Sequence, residues 1–319
     1  MTFKKFFVLF FLVLNLSLRA QQSQYSFAHV NVNEGLSSSR AKCFLRDKQG
    51  FIWIGTTSGL NRFDGYTIKK YFSDARDTTS LVDDDINGLF EDPNGRMWVD
   101  TWSGQNIYDF ETESFDRNAD KALKDFGIPP GRITNIVKGS KGNYWFLHAT
   151  MGLFNYDLTT KTVTRSTHIQ EDSTTIFSNQ VSSLREDQRG NLWIIHKNGI
   201  FEKMDMLTHK IIYRNYSLSK KYSGETFAYD FIIDKDGDLW ISVNENNNMG
   251  VFYFSINTGT LLHIHKNSPK ISLNSDLVRG IVQDAKGIIW IGTDHGGLNL
   301  RMTHELHERR EANPCPDHV

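Results

Sequence analysis

The sequence predicts an all-β chain, a β-propeller of six four-stranded repeats, from three observations. Six tryptophans, Trp53, Trp98, Trp145, Trp193, Trp240 and Trp290, recur every 45 to 50 residues, a period that belongs to repeat architectures. Each stands three residues after a glycine and six after an Asp, or after Gly139 in the third copy. Around each lie four short apolar stretches separated by turn residues, the strand count of a propeller blade. No copy shows the 3.6-residue apolar period that an α-solenoid needs.

The turns read Asp47-Lys-Gln-Gly50-Phe-Ile-Trp53, Asp92-Pro-Asn-Gly95-Arg-Met-Trp98, Gly139-Ser-Lys-Gly142-Asn-Tyr-Trp145, Asp187-Gln-Arg-Gly190-Asn-Leu-Trp193, Asp234-Lys-Asp-Gly237-Asp-Leu-Trp240 and Asp284-Ala-Lys-Gly287-Ile-Ile-Trp290. A carboxylate that accepts backbone N–H groups ahead of it, followed by a glycine free to take positive φ, closes a tight turn. Each copy therefore begins with a β-hairpin. The first strand precedes the turn, as in Ile86 to Phe90, Val181 to Leu184 and Leu277 to Val282, and the second follows it, as in Phe51 to Gly55 and Leu192 to Ile195. A third opens on glycine, in Gly59-Leu-Asn-Arg-Phe63 and Gly152-Leu-Phe-Asn-Tyr156, and a fourth is readable at Thr67 to Phe72 and Lys210 to Tyr213. The six tryptophans share one mid-strand slot and are expected in the blade core.

A chain of 319 residues would fit two ordinary domains, but repeats grow as one array. A hydrophobic content of 39% with 13% aromatic residues suffices for a packed interior. A formal net charge of −1 gives no reason to expect nucleic acid or an anionic membrane as partners. Residues 1–20 read as a secretory signal peptide: Lys4 and Lys5 precede an apolar run from Phe6 to Leu14 that continues through Leu18, and Ala20 offers a cleavage point. That run is shorter than the roughly 20 residues that span a bilayer, and no later segment is long enough. An exported, soluble chain is expected, with the propeller over 21–300 and a polar tail over 301–319. Cys43 falls in a slot where the other copies carry small or polar residues, and Cys315 lies in the tail. A disulfide between them is allowed in an exported protein, but spacing does not fix its geometry.

The stretches Glu34-Gly-Leu-Ser37, Phe51-Ile-Trp-Ile-Gly-Thr56, Gly59-Leu-Asn-Arg-Phe-Asp-Gly65, Ser80-Leu81 and Glu91-Asp92 resemble the two-component regulator propeller repeat, and six copies extend the resemblance over residues 25 to 300. It implies the periplasmic sensor region of a Bacteroidetes-type hybrid two-component system, a hybrid sensor histidine kinase. Such a region recognises a glycan or oligosaccharide and passes the signal through a membrane helix to a kinase. The implied partners are further domains of the same inner-membrane receptor: a second propeller, an immunoglobulin-like domain, and the membrane and kinase parts, with a homodimer as one form of the full receptor. This chain shows no kinase phospho-acceptor motif, nucleotide-binding glycines or helix-turn-helix, so no enzyme activity and no cofactor are assigned to it. Rings of the family have seven blades, and the sixth copy here has no legible fourth strand. Two closures stay open: a truncated part of a seven-bladed ring, or six blades sealed by a strand at Tyr25 to Val32. After Gly297-Leu-Asn-Leu300 the pattern stops, and 301–319 read as a frame change, a truncation or a natural tail.

In a four-stranded blade the loop between the second and third strands shares one face of the disc with the links between blades, while the Asp-x-x-Gly hairpins crowd the other. The hairpin face is uniform among copies and the opposite face is diverse; binding residues tend to lie on loops held by a rigid scaffold. The expected ligand contacts are Trp102, Gln105, His148, His196, Asn244, Asp294 and His295. Amides and imidazoles hydrogen-bond sugar hydroxyls, and an exposed Trp102 would stack on a ring face. Asp234-Lys-Asp-Gly-Asp238 resembles the start of a calcium loop, but it falls on the common hairpin and reads as a plain turn. His148, His196 and His295 lack carboxylate or cysteine company for a metal, and His304-Glu-Leu-His307 has the wrong spacing for a zinc protease. Two further functions stay open. One is a secreted glycan hydrolase or lyase, which needs two carboxylates about 5 to 10 Å apart, drawn from Asp83 to Asp85, Asp100, Glu245 and Asp294. The other is a protein-binding scaffold.

Overall fold

The structure is a computed structural model that describes residues 30–243, 249–269 and 271–302. Six antiparallel sheets, one per repeat, form a six-bladed propeller. Blade 1 contains β1 (Ala41–Arg46), β2 (Ile52–Thr56), β3 (Gly59–Phe63) and β4 (Ile68–Tyr71). Blade 2 contains β5 (Ile86–Glu91), β6 (Met97–Thr101), β7 (Gln105–Asp109) and β8 (Ser114–Asp116), and blade 3 contains β9 (Ile133–Lys138), β10 (Asn143–His148), β11 (Gly152–Asp157) and β12 (Thr162–Ser166). Blade 4 contains β13 (Val181–Glu186), β14 (Leu192–His196), β15 (Phe201–Met204) and β16 (Ile211–Asn215), and blade 5 contains β17 (Tyr229–Ile233), β18 (Leu239–Val243), β19 (Val251–Ser255) and β20 (Thr260–Ile264). Blade 6, with β21 (Val278–Gln283), β22 (Ile288–Thr293) and β23 (Gly297–Met302), is three-stranded among the described residues. Each sheet runs in simple order from first to last strand, and the first strands of successive blades pack side by side, which sets them around the axis.

The spacing of the repeat has a physical cause at the hairpin. One carboxylate oxygen of Asp47 accepts the N–H groups of Gln49 (2.9 Å) and Phe51 (3.0 Å), and Gly50 takes a φ of 93°. The other oxygen accepts the indole N–H of Trp53 at 2.8 Å. The same indole bond joins Trp98 to Asp92 (2.9 Å), Trp240 to Asp234 (2.9 Å) and Trp290 to Asp284 (3.0 Å). In the third copy Gly139 stands in the Asp position, and the buried Trp145 Nε1 has no hydrogen-bond partner among the described residues. Trp193 Nε1 is also without one, because Lys203 (3.0 Å) and Asn191 (3.2 Å) engage Asp187 Oδ2 instead. The acidic stretch Asp234 to Asp238 is a turn of the same kind: Asp234 caps backbone and indole, while Asp238 accepts from the Tyr253 hydroxyl and from Ile256 N.

The core is a series of shared interfaces. Trp53 packs with Ile86, Leu89 and Val99 of blade 2, Trp145 with Leu184 and Ile194 of blade 4, and Trp240 with Val278 and Ile291 of blade 6. Trp98 and Trp193 likewise join blades 2 to 3 and 4 to 5. Among the described residues no such cluster joins blade 6 to blade 1. There Trp290 is only half-buried, and Phe44 of β1 and Val282 of β21 are 64% and 59% exposed. Cys43 sits in the core between blades 1 and 2, where burial pushes its thiol up to about 12, so it behaves as a small apolar residue.

Two expectations change at the ends. Val32–Glu34 is a 3₁₀ turn and not the end of a strand, because Asn31 Oδ1 accepts Asn33 N (2.7 Å) while the Glu34 carboxylate accepts Asn31 N (2.9 Å), a reciprocal cap. β23 runs to Met302, pairing with Ile288, two residues past the expected limit of the propeller. The signal peptide, Tyr25 to His29, Glu245, and the tail beyond Met302 with its Cys315, His304 and His307 lie outside the described residues. No helix among the described residues is long and apolar enough to cross a membrane.

Candidate functional site

The loop between second and third strands has two alternating kinds of position. The residue three past the tryptophan closes the loop in three copies: Thr56, Thr101 and Thr293 donate their hydroxyls to Gly59 O (2.8 Å), Gly104 O (2.7 Å) and Gly297 O (2.8 Å), while the fifth copy has the buried Val243 there. His148 and His196 occupy this slot and are 4% and 0% exposed. The His148 Nδ1 accepts Thr150 N (3.3 Å) and Met151 N (3.2 Å), repeating the loop-closing role. The His196 Nε2 donates to Glu202 at 2.7 Å. The next residue donates its backbone N–H to the residue that leads into the first strand: Thr57 to Arg40 (3.3 Å), Trp102 to Asp85 (3.0 Å), Ala149 to Arg132 (2.9 Å), Lys197 to Gln180 (3.0 Å) and Asp294 to Leu277 (2.7 Å). That bond leaves its side chain free to face solvent, and Trp102 is 74% exposed.

The expected contacts therefore divide. Trp102, Asp294 and His295 stand on the accessible face, whereas His148 and His196 are consumed by the scaffold. Gln105 is also buried: it donates to Ile133 O (2.6 Å) and accepts Ile133 N (2.9 Å), pinning blade 2 to blade 3. Asn244 lies outside the described residues. His295 stands two residues further along its loop than His148 and His196 along theirs, and among the described residues no group of three His, Cys, Asp or Glu side chains is placed to hold a metal.

A further set of residues was not expected. In every blade but the fifth, the first strand bulges at its second residue, which is Lys42, Asn87, Thr134, Ser182 or Arg279. A bulge takes one residue out of the ladder and re-aims its side chain, and on the innermost strand this sets polar groups around the axis. Lys42 bonds Asp85 (2.7 Å) and Asn87 (2.6 Å), Ser182 donates to Tyr229 O (2.8 Å), and Arg279 donates to Asp294 (2.6 Å). Polar residues at the second place of otherwise apolar first strands were the available sequence signal; the bulge itself leaves none.

The charges of this face are mostly paired. Asp100 bonds Arg132 (2.9 Å) and Gln105 (3.0 Å); burial raises its carboxyl above the usual range despite those contacts. Asp83 is held low by the N–H of Asp85 first and then by the Ser103 hydroxyl, both of which donate to it. Asp294 is held low by Arg279 first, then by His295, whose Nδ1 lies 3.0 Å away. Asp294 and His295 border a cavity of about 620 Å³ between blades 6 and 1, with Ser38, Ser39, Arg40 and Arg279 on its other sides.

Residues 35–58, 80–103, 175–198 and 272–295 match the family model described as two component regulator propeller. Each matched segment runs from an inter-blade link through the first two strands into the variable loop. The chain carries two-component regulator propeller repeats. Over 76 residues it is 42% identical to histidine kinase P4 of Formosa agariphila, a match that covers 24% of this chain and 6% of that protein. Among solved structures, the extracellular domain of a protein described as a hybrid two component system of B. thetaiotaomicron superposes with a TM-score of 0.50 at 20% identity, covering 86% of this chain and 41% of that one. PorZ of Porphyromonas gingivalis, described as a surface component of the type-IX secretion system, gives 0.50 at 17% identity, covering 82% and 38%. Virginiamycin B lyase of Staphylococcus aureus gives 0.50 at 14%, covering 83% and 80%. At these identities the structural likeness establishes the propeller fold, and the regulator repeats span less than half the length of the first two relatives.

Proposed function

We propose that these regulator propeller repeats form the extracytoplasmic ligand-sensing part of a hybrid two-component receptor, and that their variable face binds an oligosaccharide. The observation that carries the reading is Trp102. The other six tryptophans fill one repeated slot, while this one stands exposed on the variable face, its backbone tied to Asp85 (3.0 Å) and its carbonyl held by Arg132 (3.3 Å). An exposed indole on a fixed stretch of backbone, beside hydroxyl, amide and charged groups, is an arrangement that suits stacking on a sugar ring. The names of the relatives, a histidine kinase and the extracellular domain of a hybrid two component system, support the receptor context. Signalling would follow from a difference in ligand affinity between two packings of the propeller against its neighbouring domain. The enzyme reading has less support, because Asp83, Asp85, Asp100 and Asp294 are each engaged by a cation or a hydrogen-bond donor.

Isothermal titration against a panel of neutral and acidic oligosaccharides tests the reading. A binder is expected whose affinity falls about tenfold in Trp102→Ala, the loss of one stacking contact, with the melting temperature unchanged. Absence of binding across the panel, or release of shortened products, would overturn it.

A further inference from the structure

We propose that the cavity between blades 6 and 1 binds an acidic saccharide, its charge carried by a carboxylate or a sulfate ester, through the guanidinium groups of Arg40 and Arg279. This rests on the glycan reading above and deepens it by naming the ligand class and the place.

Among the described residues no shared core joins blades 6 and 1, and a cavity of about 620 Å³ lies there on the variable face, between the link that leads into β1 and the link, first strand and loop of blade 6. That volume lies in the range of small-ligand pockets. Its charge sets it apart from the rest of the face. Elsewhere on the face Lys42 meets Asp85 and Arg132 meets Asp100, one cation to one carboxylate in each pair. Here two guanidinium groups stand against the single carboxylate of Asp294.

Arg279 is aimed by its bulge and by its bond to Asp294 at 2.6 Å, which uses one of its nitrogens and leaves the remaining donors. Arg40 has its backbone fixed by the bond from Thr57 N, and its guanidinium makes no hydrogen bond or ion pair among the described residues. A planar guanidinium offers two parallel N–H groups that match a carboxylate or sulfate edge. The hydroxyls of Ser38 and Ser39 and the ring of His295 suit the neutral hydroxyls of the same sugar. Asp294 feels both Arg279 and Arg40 but carries one negative charge against two positive ones, so an anionic sugar balances the remaining charge where a neutral one does not.

Titration of the full chain with a galacturonic acid trisaccharide, a sulfated galactan trisaccharide and a neutral galactan trisaccharide tests the assignment. One of the two acidic probes is expected to bind at least tenfold tighter than the neutral one, and which one does so identifies the carboxylate or the sulfate as the source of charge. Arg40→Gln is expected to remove that preference while Arg40→Lys keeps part of it, with melting temperatures unchanged. Equal binding of acidic and neutral probes, or a preference that survives in Arg40→Gln, would overturn the pocket and leave the glycan reading standing. No binding of any probe would overturn both.

Discussion

The indole N–H of each repeat tryptophan is a polar group at the bottom of an apolar interface, and the copies differ in how it is satisfied. Where an Asp stands six residues earlier, as Asp92 does for Trp98, a single carboxylate holds both the turn and the indole. At Asp187 the carboxylate still holds the turn, through the N–H groups of Arg189 and Asn191, but not the indole. Truncating either Asp removes similar turn bonds, yet only Asp92→Ala newly strands a buried donor, a loss of about 1–3 kcal/mol. Urea denaturation should find Asp92→Ala more destabilising than Asp187→Ala by about that margin; equal losses would show that the indole bond contributes nothing. The turn was legible in the sequence because Asp-x-x-Gly explains itself. For the same reason the indole bond was not: a carboxylate already accounted for by the turn gave no cause to look for a second partner, although Gly139 before Trp145 hinted at it.

In four blades the preceding link is fastened by one side chain of the third strand, and among these the fourth blade stands apart. Asn61, Asn106 and Asn299 accept the backbone N–H of Ser37 (2.8 Å), Val82 (3.2 Å) and Asn274 (3.1 Å) in the link before their own blade. In blade 4 the residue is Glu202, which accepts Phe177 N (3.1 Å), His196 Nε2 (2.7 Å) and Arg214 Nε. Burial alone would raise this carboxyl, but His196, Phe177 N and Arg214 outweigh it, and the net position is below the usual glutamate value of 4.5. A folded value lower than the unfolded one means that the stabilisation is present above pH 4.5 and fades as pH falls through the folded value. Acidification should therefore raise exchange of the Phe177 amide, which the Glu202 carboxylate holds, while the Ser37 amide, held by the uncharged Asn61 in a link (36–40) without a carboxylate, changes little. Glu202→Gln should lose the pH dependence, and its persistence in that variant would refute the assignment. The sequence placed His196 on the binding face because its loop does face that way. The local pattern did not single out the slot three past the tryptophan as an inward one, since threonine fills it in three copies and is equally at home in water.

A propeller is a ring of interfaces, and its cooperativity depends on each one being filled. The period of the tryptophans made the blades legible because every copy repeats the same apolar slot. Closure was not legible, because it depends on two strands about 240 residues apart with no shared motif. Five interfaces carry a buried tryptophan in a cluster with the following blade, whereas at the seam between blades 6 and 1 Trp290 is half-buried and Phe44 and Val282 face solvent. Removing a fully buried tryptophan costs about 3–5 kcal/mol, through lost transfer energy and the cavity left behind, so Trp193→Ala should approach that value. Trp290→Ala removes less buried surface and leaves a hollow that is already open, so its cost should be a fraction of this in the same urea titration. Local opening should start where interfaces are weakest, so amides of β1 and β21 should exchange faster than those of β9 and β13, which occupy the same inner position in blades packed on both sides. Equal protection around the ring, together with equal costs for the two tryptophans, would mean that the seam is as firmly joined as the other five interfaces and that the cavity beside Arg40 is not a consequence of a missing core.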